Sequence, residues 1–118
     1  MQHLKGKAQA LCKRSGHDHF HHGAISFLKG KPVSSGWNGR VVHGGLLKKY
    51  GHQSQHAETH CMMGVKKADT VLVVRLSRST GGLTMSKPCD LCVNFLRDKG
   101  IRKVYFSTWS GEIEEMRL

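Results

Sequence analysis

The sequence predicts an α/β domain of three layers, built on a mixed sheet of five strands. Segments with helical character alternate with segments of strand character along the chain, which is typical of this fold class. Residues 70–77 read TVLVVRLS, a continuous β-branched run that is expected of a strand covered on both faces. The last two strand segments are joined only by WSG, at 109–111, which is too short for a crossover helix. These two strands must therefore be antiparallel, which makes the sheet mixed.

The first half of the chain is expected to contain one helix, one β-hairpin and a long loop. Gln2–Arg14 places its apolar residues on one side and is predicted to be a short amphipathic helix. Ala24–Leu28 and Val33–Trp37 are apolar stretches with Gly, Lys and Pro between them, a pattern that favours a hairpin. Asn38–Gln53 is rich in glycine and basic residues and is predicted to be a loop.

The second half is expected to alternate helices with strands. Gln55–Ala68 is rich in helix formers, and Cys89–Lys99 is a second predicted helix, with a proline before it and a glycine after it. Arg78–Lys87 is predicted to be a loop, and residues 103–108 and 112–118 are predicted to be the last two strands. The apolar residues of the second helix are expected to face the sheet: Leu91, Val93, Phe95 and Leu96.

Length and charge restrict the classes of function. A chain of 118 residues suits one domain, and we expect that domain to span residues 1–118. Lys and Arg outnumber Asp and Glu by 19 to 8, a net charge of +11. Residues 1–57 hold nine basic residues and one acid, Asp18, so this half carries a net charge of +8. Such a field attracts the phosphates of a nucleotide or of a nucleic acid. A solvated basic face that only maintains solubility is the alternative.

The sequence favours a cytoplasmic protein without a membrane segment. Its N-terminal residues lack the apolar core of a signal peptide, and its longest apolar run, Val71–Val74, is far too short to span a bilayer. Thiols stay reduced inside cells, where closely spaced cysteines favour metals over disulfides. Cys12 and Cys61 lie beside apolar residues in predicted helices and are expected to be small core residues.

The two remaining cysteines, Cys89 and Cys92, are expected to bind a metal ion. They lie three residues apart on the first turn of a helix, so they share one face, and the start of the helix stabilises their thiolates. Two adjacent thiolates require a cation between them, and zinc is the natural choice. His56 lies in the first turn of the other helix and can supply a third ligand, and Glu58 follows it by two residues.

Two kinds of zinc site fit these residues. If the ion keeps one open position, it holds a water molecule whose pKa falls to about 7, and Glu58 can take the proton of that water. If His60 is the fourth ligand, the site is closed and structural, and Glu58 is then a solvated surface acid. His56 and His60 lie four residues apart and share a helical face, so the spacing allows both arrangements.

The joint spacing of the motifs carries more information than either motif alone. HAE at 56–58 is followed, after 29 residues, by PCDLC at 88–92, and this combination is the signature of zinc-dependent nucleobase deaminases. On these motifs the sequence resembles the cytidine and deoxycytidylate deaminase superfamily over nearly its whole length. Residues 22–40 are similar to the hairpin that precedes the motifs, with Asn38 at the position of the substrate-binding asparagine. Residues 100–118 are similar to the C-terminal hairpin of members whose last strands are antiparallel.

This resemblance implies a cytidine deaminase-like fold and a hydrolytic reaction that converts cytosine to uracil in a substrate such as cytidine, CMP or dCMP. One zinc ion per chain would be held by His56, Cys89 and Cys92. Glu58 would move protons between the attacking water, the base and the departing ammonia. The implied substrate contacts are the Ala57 N–H with the ring carbonyl, Asn38 with the sugar or base edge, and the backbone near Ser86 with the exocyclic amine. His22, at the start of the hairpin, is a further candidate to line the pocket, and the superfamily suggests a homo-oligomer.

Three classes of function remain open. A free cytosine nucleoside or nucleotide as substrate is favoured by the compact length and the short WSG connection. A polymer, either single-stranded DNA or RNA or the adenosine of a tRNA, is favoured by the basic half and by two potential stacking platforms, Trp37 and Trp109. The third class is a non-catalytic basic module that zinc holds together and that binds nucleic acid. Glu58 argues against this last class, because a structural zinc site needs no additional carboxylate.

The histidines of HDHFHH, at 17–22, are a separate feature. Their alternation is compatible with one side of a strand and with a second metal site. Solvated or phosphate-contacting histidines are the more ordinary interpretation of such a segment.

Overall fold

The computed structural model describes residues 2–15, 21–39 and 56–118, with side chains described from residue 5 onward. In these ranges it contains three helices and six strands. In chain order they are α1 (Gln2–Cys12), β1 (His21–Leu28), β2 (Lys31–Trp37), α2 (Ala57–Met62), β3 (Thr70–Leu76), β4 (Leu83–Thr84), α3 (Asp90–Asp98), β5 (Lys103–Ser107) and β6 (Ile113–Arg117).

The strands form one mixed sheet in the order β2-β1-β3-β5-β6. β3 and β5 are parallel, and the pairs β1–β2, β1–β3 and β5–β6 are antiparallel. The predicted mixed sheet with an antiparallel C-terminal hairpin is therefore confirmed. The two-residue strand β4 pairs with the end of β3 and lies within the segment predicted to be a loop, 78–87. It is too short for a sequence pattern to indicate it.

The sheet separates two buried clusters, so the fold has the three predicted layers. Successive residues of a strand point to opposite faces, and β3 divides its valines and leucines accordingly. On one face, α1 packs on the sheet through Ala8, Cys12, Ile25, Phe27, Leu72 and Val74. On the other face, α2 and α3 pack through residues that include Cys61, Met62, Val71, Val73, Phe95 and Leu96. Cys12 and Cys61 are thus core residues, as their sequence context predicted.

Two glycines allow the helices to approach the sheet closely. A Cβ atom at Gly23 of β1 would lie 2.3 Å from the Ala8 carbonyl oxygen of α1. A Cβ atom at Gly36 of β2 would lie 2.4 Å from the Cys61 backbone nitrogen of α2. Neither position can accept a side chain without moving a helix, so both glycines fix the spacing between the layers.

Two expectations about the helices were wrong. The helix predicted over 55–68 ends at Met62, because Met63 is extended and Gly64 has a positive φ of 75°. Leu91, which is 38% exposed, and Val93, which is half-buried, do not belong to the buried face of α3. The buried face of α3 is formed instead by Cys92, Phe95 and Leu96, which lie three and four residues apart. The predicted loop 38–53 falls outside the described residues from residue 40 onward.

No helix in the described part of the chain combines the length and the apolar character needed to cross a bilayer.

Candidate active site

The candidate site lies where the starts of two helices meet. His56 immediately precedes α2, and Cys89 immediately precedes α3; both have extended backbone conformations. α3 begins after the chain leaves the C-terminal end of β3, one of the two parallel strands. Open α/β sheets commonly bind ligands at this edge, because the connecting loops and the helix starts meet there.

The structure brings together the side chains of His56, Cys89 and Cys92. The His56 Nδ1 atom lies 3.1 Å from the Cys92 Sγ atom and 3.8 Å from the Cys89 Sγ atom. All three donor atoms lie within 4.8 Å of one another. Donors around a tetrahedral zinc ion are separated by roughly 3.5–3.8 Å, given zinc–sulfur and zinc–nitrogen distances of about 2.3 and 2.0 Å. The observed group therefore has the size and the donor chemistry of a zinc site.

The three donors shift one another's pKa values. A hydrogen bond from Cys92, assisted by His56, lowers the pKa of Cys89 to about 3. The same bond to Cys89, together with burial, raises the pKa of Cys92. A hydrogen bond with Cys89 also raises the pKa of His56. A divalent cation would replace these protons, as expected for ligands that must be deprotonated to bind metal.

Glu58 is buried beside these donors. It is only 5% exposed, and its pKa responds to His56, Cys89 and Cys92, which places its carboxyl group near these donors. Burial raises the pKa of Glu58, while the nearby His56 opposes this effect. A carboxyl group with a raised pKa beside candidate metal ligands is well placed to accept and return protons near neutral pH.

His60 is not part of the metal-binding group among the described residues. Its Nδ1 atom lies 3.0 Å from the Trp37 backbone nitrogen, whose N–H donates to it, and 3.1 Å from the Trp37 carbonyl oxygen. Its ring also meets the Trp37 ring edge to face, with centroids 4.6 Å apart. The closed arrangement, with His60 as fourth ligand and Glu58 as a surface acid, does not agree with these positions.

Residues 1–108 match the family model for the cytidine and deoxycytidylate deaminase zinc-binding region. The chain belongs to this family. The three donors and the buried glutamate all lie within the matched residues, in the segments 56–58 and 88–92.

Solved structures with the same fold include cytidine and dCMP deaminases. Cytidine deaminase from Burkholderia pseudomallei is 16% identical to this chain, with a TM-score of 0.71 over 98% of this chain and 91% of that one. The dCMP deaminase of cyanophage S-TIM5, in its apo form, is 19% identical, with a TM-score of 0.64 over 91% of this chain and 81% of that one. The same phage protein in complex with dCMP and dUMP gives a TM-score of 0.63 at 17% identity, over 91% of this chain and 79% of that one. At these identities the similarity shows the fold. Among curated proteins, no match to the sequence is found.

The structure connects two further candidate residues of this deaminase-family chain to each other. The Asn38 Oδ1 atom accepts a hydrogen bond from the His22 N–H at 2.9 Å, and the Asn38 N–H donates to the His22 carbonyl at 3.4 Å. His22 pairs with Arg75 near the C-terminal end of β3, so Asn38 and His22 lie at the same edge of the sheet as the helix starts. Ala57 is buried at the first position of α2, where a helix N–H has no partner within the helix.

Ser86 lies at this edge too, and it reveals a residue that sequence reasoning missed. Ser86 is buried, and its hydroxyl donates to the Val73 carbonyl at 2.8 Å. Its N–H donates to the carbonyl of Ser107, at the end of β5, at 2.9 Å. No sequence signal pointed to Ser107, because a single serine at the end of a strand has no distinctive pattern.

The structure describes only part of the remaining candidates. His17 and His19 lie outside the described residues, so the second metal site suggested by HDHFHH stays a sequence-based hypothesis. Trp109 lies in the turn between β5 and β6 and is 73% exposed. Trp37 is half-buried, with the Arg14 guanidinium 5.2 Å from its ring centroid.

Proposed function

We propose that this protein is a zinc-dependent hydrolytic deaminase that converts the cytosine of a free nucleoside or nucleotide to uracil. The observation that carries the proposal is the buried Glu58 carboxyl group beside a three-residue group of metal-binding donors. A purely structural zinc site has no use for a buried carboxylate, whose burial costs free energy. A hydrolytic site needs one to handle protons.

His56, Cys89 and Cys92 would hold one zinc ion per chain. When bound, zinc would supply an activated water molecule with a pKa of about 7. Glu58 would take one proton from the attacking water and give it to the neighbouring ring nitrogen. It would then take the second proton of that water, from the hydroxyl newly bonded to the ring carbon, and give it to the departing amine, which leaves as ammonia. Water adds to the ring carbon and ammonia leaves it, so the carboxyl group ends each cycle in its starting protonation state. The raised pKa of Glu58 suits this alternation between donor and acceptor.

Four groups would orient the substrate. The Ala57 N–H would bind the ring carbonyl, and the Ser86 carbonyl would receive the exocyclic amine. Asn38 and His22 would contact the sugar or the edge of the base. The hydrogen bonds between Asn38 and His22 support this assignment, because they fix both residues at the site edge of the sheet.

A polynucleotide is the second candidate substrate. Trp109 supports it, since this side chain is 73% exposed and follows Ser107 by two residues at the same edge of the sheet. Aromatic side chains in such positions stack on unpaired bases. The net charge of +11 adds general attraction for phosphates.

We further propose that the protein is a homo-oligomer. Met63 and Leu91, at the end of α2 and the start of α3, expose 50% and 38% of their area, and a second copy could cover them. Analytical ultracentrifugation of the purified protein tests this point; a monomer at all concentrations would contradict it.

A product assay by mass spectrometry tests the proposed reaction. Cytidine, CMP, dCMP and a cytosine-containing single-stranded oligonucleotide are each incubated with the zinc-loaded protein and with Glu58→Ala. We expect a mass gain of about one unit in at least one free nucleoside or nucleotide, and none with the variant, which should retain its zinc. Full activity of Glu58→Ala would exclude the proton transfer, and loss of its fold would favour a structural role.

Salt dependence separates the two substrate classes. Affinity for a ligand that contacts several phosphates falls steeply with ionic strength, whereas affinity for one nucleotide falls little. If affinity for the oligonucleotide falls steeply with ionic strength and only the oligonucleotide is deaminated, the substrate is a polymer and not a free nucleotide.

A further inference from the structure

We propose that Ser107 is a positioning residue that holds the segment carrying Cys89 and Cys92 in place for metal binding. This inference rests on the proposed function, because it assumes that these two cysteines ligate the ion. It assigns a role to a residue outside both sequence motifs.

Ser107 bonds to the approach segment, residues 84–86, through its backbone and through its side chain. Its N–H donates to the Ser86 hydroxyl oxygen at 2.8 Å, and its carbonyl accepts the Ser86 N–H at 2.9 Å. Its hydroxyl donates to the Thr84 carbonyl at 2.6 Å and lies 2.8 Å from the Ser86 hydroxyl. One residue at the end of β5 therefore holds two points of the approach segment.

The same hydroxyl connects this segment to the central strand. The Arg75 N–H of β3 donates to the Ser107 Oγ atom at 3.3 Å. The Ser86 hydroxyl in turn donates to the Val73 carbonyl of β3 at 2.8 Å. The approach segment is thus bonded to β3 and to β5, the two parallel strands whose ends form the site edge.

Burial makes these bonds consequential. Ser107 is fully buried and Ser86 is only 3% exposed, so water cannot readily replace a lost partner. Cys89 follows Ser86 by three residues, and the intervening Pro88 is buried and restricted in φ. A displaced Ser86 would therefore shift the first turn of α3, where both sulfur donors lie.

The bonds also orient Ser86 itself. They use its N–H and its hydroxyl, and they do not involve its carbonyl oxygen. That carbonyl is the group proposed above to receive the exocyclic amine of the substrate. Ser107 would thus position both the metal donors and one substrate contact, without touching either the ion or the substrate.

The test measures metal binding in Ser107→Ala without using activity. Zinc affinity is measured by competition with a chromophoric chelator, and the visible spectrum of the cobalt-loaded protein reports the geometry at the thiolates. The matched control is Ser26→Ala, which removes another fully buried hydroxyl that lies 2.7 Å from the Ser34 hydroxyl. Ser26 is paired with Val71, near the start of β3 and therefore away from the site edge. The unfolding midpoint of each metal-free variant shows the general loss of stability.

We expect zinc affinity to fall by about tenfold or more in Ser107→Ala, with an altered cobalt spectrum, because residues that orient metal ligands have effects of this size. Ser26→Ala should keep the wild-type affinity and spectrum even if its stability falls equally. The double variant Ser86→Ala/Ser107→Ala should lose about as much zinc affinity as the more strongly affected single variant, because both residues act through one network. Equal affinities in Ser107→Ala and Ser26→Ala would overturn the inference, and so would fully additive losses.

Two further outcomes are informative. If Ser107→Ala does not fold, Ser86→Ala and Ser107→Thr take its place. Ser107→Thr keeps both hydroxyls and Ser86→Ala removes one, so only Ser86→Ala should lose affinity for zinc. Equal zinc affinities of these two variants would overturn the inference. If the wild-type protein binds zinc but deaminates none of the substrates, the proposed function fails while the affinity comparison still decides the role of Ser107. A wild-type protein that binds no zinc would overturn both.

Discussion

The His56 Nδ1 atom lies 3.1 Å from the Cys92 Sγ atom, although 36 residues separate the two along the chain. The contact arises because α2 and α3 pack on the same face of the sheet and begin at the same edge. Neither helix alone holds three donors. The metal-binding group is therefore a product of the tertiary fold, and its properties should depend on residues that fix the positions of the helices.

Thiol reactivity should distinguish the four cysteines. Burial raises the pKa of Cys12 to about 12 and also raises the pKa of Cys61, so both thiols should resist iodoacetamide until the protein unfolds. Cys89 is exposed and its pKa is low, so it should be alkylated first in metal-free protein. Peptide mass mapping, with and without zinc, checks this order. Zinc should protect Cys89 and Cys92; labelling of these two at the same rate in both samples would contradict a metal site.

Replacing His60 should separate folding from metal binding. His60→Ala removes the Nδ1 atom that accepts from the Trp37 N–H, together with the ring contact to Trp37, so we expect a loss of about 1–3 kcal/mol in the free energy of unfolding. Zinc content should stay at one ion per chain, whereas His56→Ala should lose the ion. Urea denaturation and metal analysis of both variants give the answer. If folded His60→Ala loses its zinc, the result would support the closed site in which His60 is the fourth ligand.

A methyl group at Gly36 should displace α2. The added Cβ atom would lie 2.4 Å from the Cys61 backbone nitrogen, and overpacking of this kind costs about 1–3 kcal/mol. Because His56 directly precedes α2, zinc affinity should fall as well. Gly6→Ala is the control: a Cβ atom at this helical position meets nothing within 4 Å, and the free energy of unfolding should rise by about 0.5–1 kcal/mol. A Gly36→Ala variant as stable as wild type would contradict the close packing.

The Asp69 carboxylate should contribute to stability in a pH-dependent way. It accepts hydrogen bonds from the Lys29 N–H at 3.0 Å and from the Thr70 hydroxyl at 2.8 Å, and these bonds lower its pKa in the folded protein. A lowered folded-state pKa stabilises the protein above the ordinary aspartate pKa of about 3.9, and the contribution disappears as the pH falls through the folded-state value. Asp69→Asn should thus be less stable than wild type at pH 7, with a difference that shrinks at pH 3. Urea denaturation at both pH values measures it, and a difference independent of pH would exclude this origin.

Local sequence patterns predicted most of the strands and the grouping of the metal donors. The run from Val71 to Val74 is fully buried in the centre of the sheet, as a continuous β-branched segment requires. The spacing of Cys89 and Cys92 placed both on one helical turn, whatever the rest of the fold. These features depend on neighbours in the chain, so the sequence displays them directly.

The features that escaped prediction depend on distant partners. His60 has ligand-like spacing, and only the contact with Trp37, 23 residues away, shows how its Nδ1 atom is used. Ser107 is hydrogen-bonded to Ser86, 21 residues away, and no local sequence pattern at either residue indicates this bond. Leu91 is apolar and lies in α3, yet the face of α3 that packs on the sheet is formed by Cys92, Phe95 and Leu96, and Leu91 stays exposed. In each case the decisive information is the mutual position of two elements.

Zinc-edge X-ray absorption of the loaded wild-type protein tests the central claim most directly, because it identifies the atoms around the ion. We expect two sulfur neighbours at about 2.3 Å and two nitrogen or oxygen neighbours at about 2.0–2.1 Å, with the scattering signature of a single imidazole. That result would mean that His56, Cys89 and Cys92 leave one position for water beside Glu58. A second imidazole, or more than two sulfur neighbours, would contradict an open hydrolytic site.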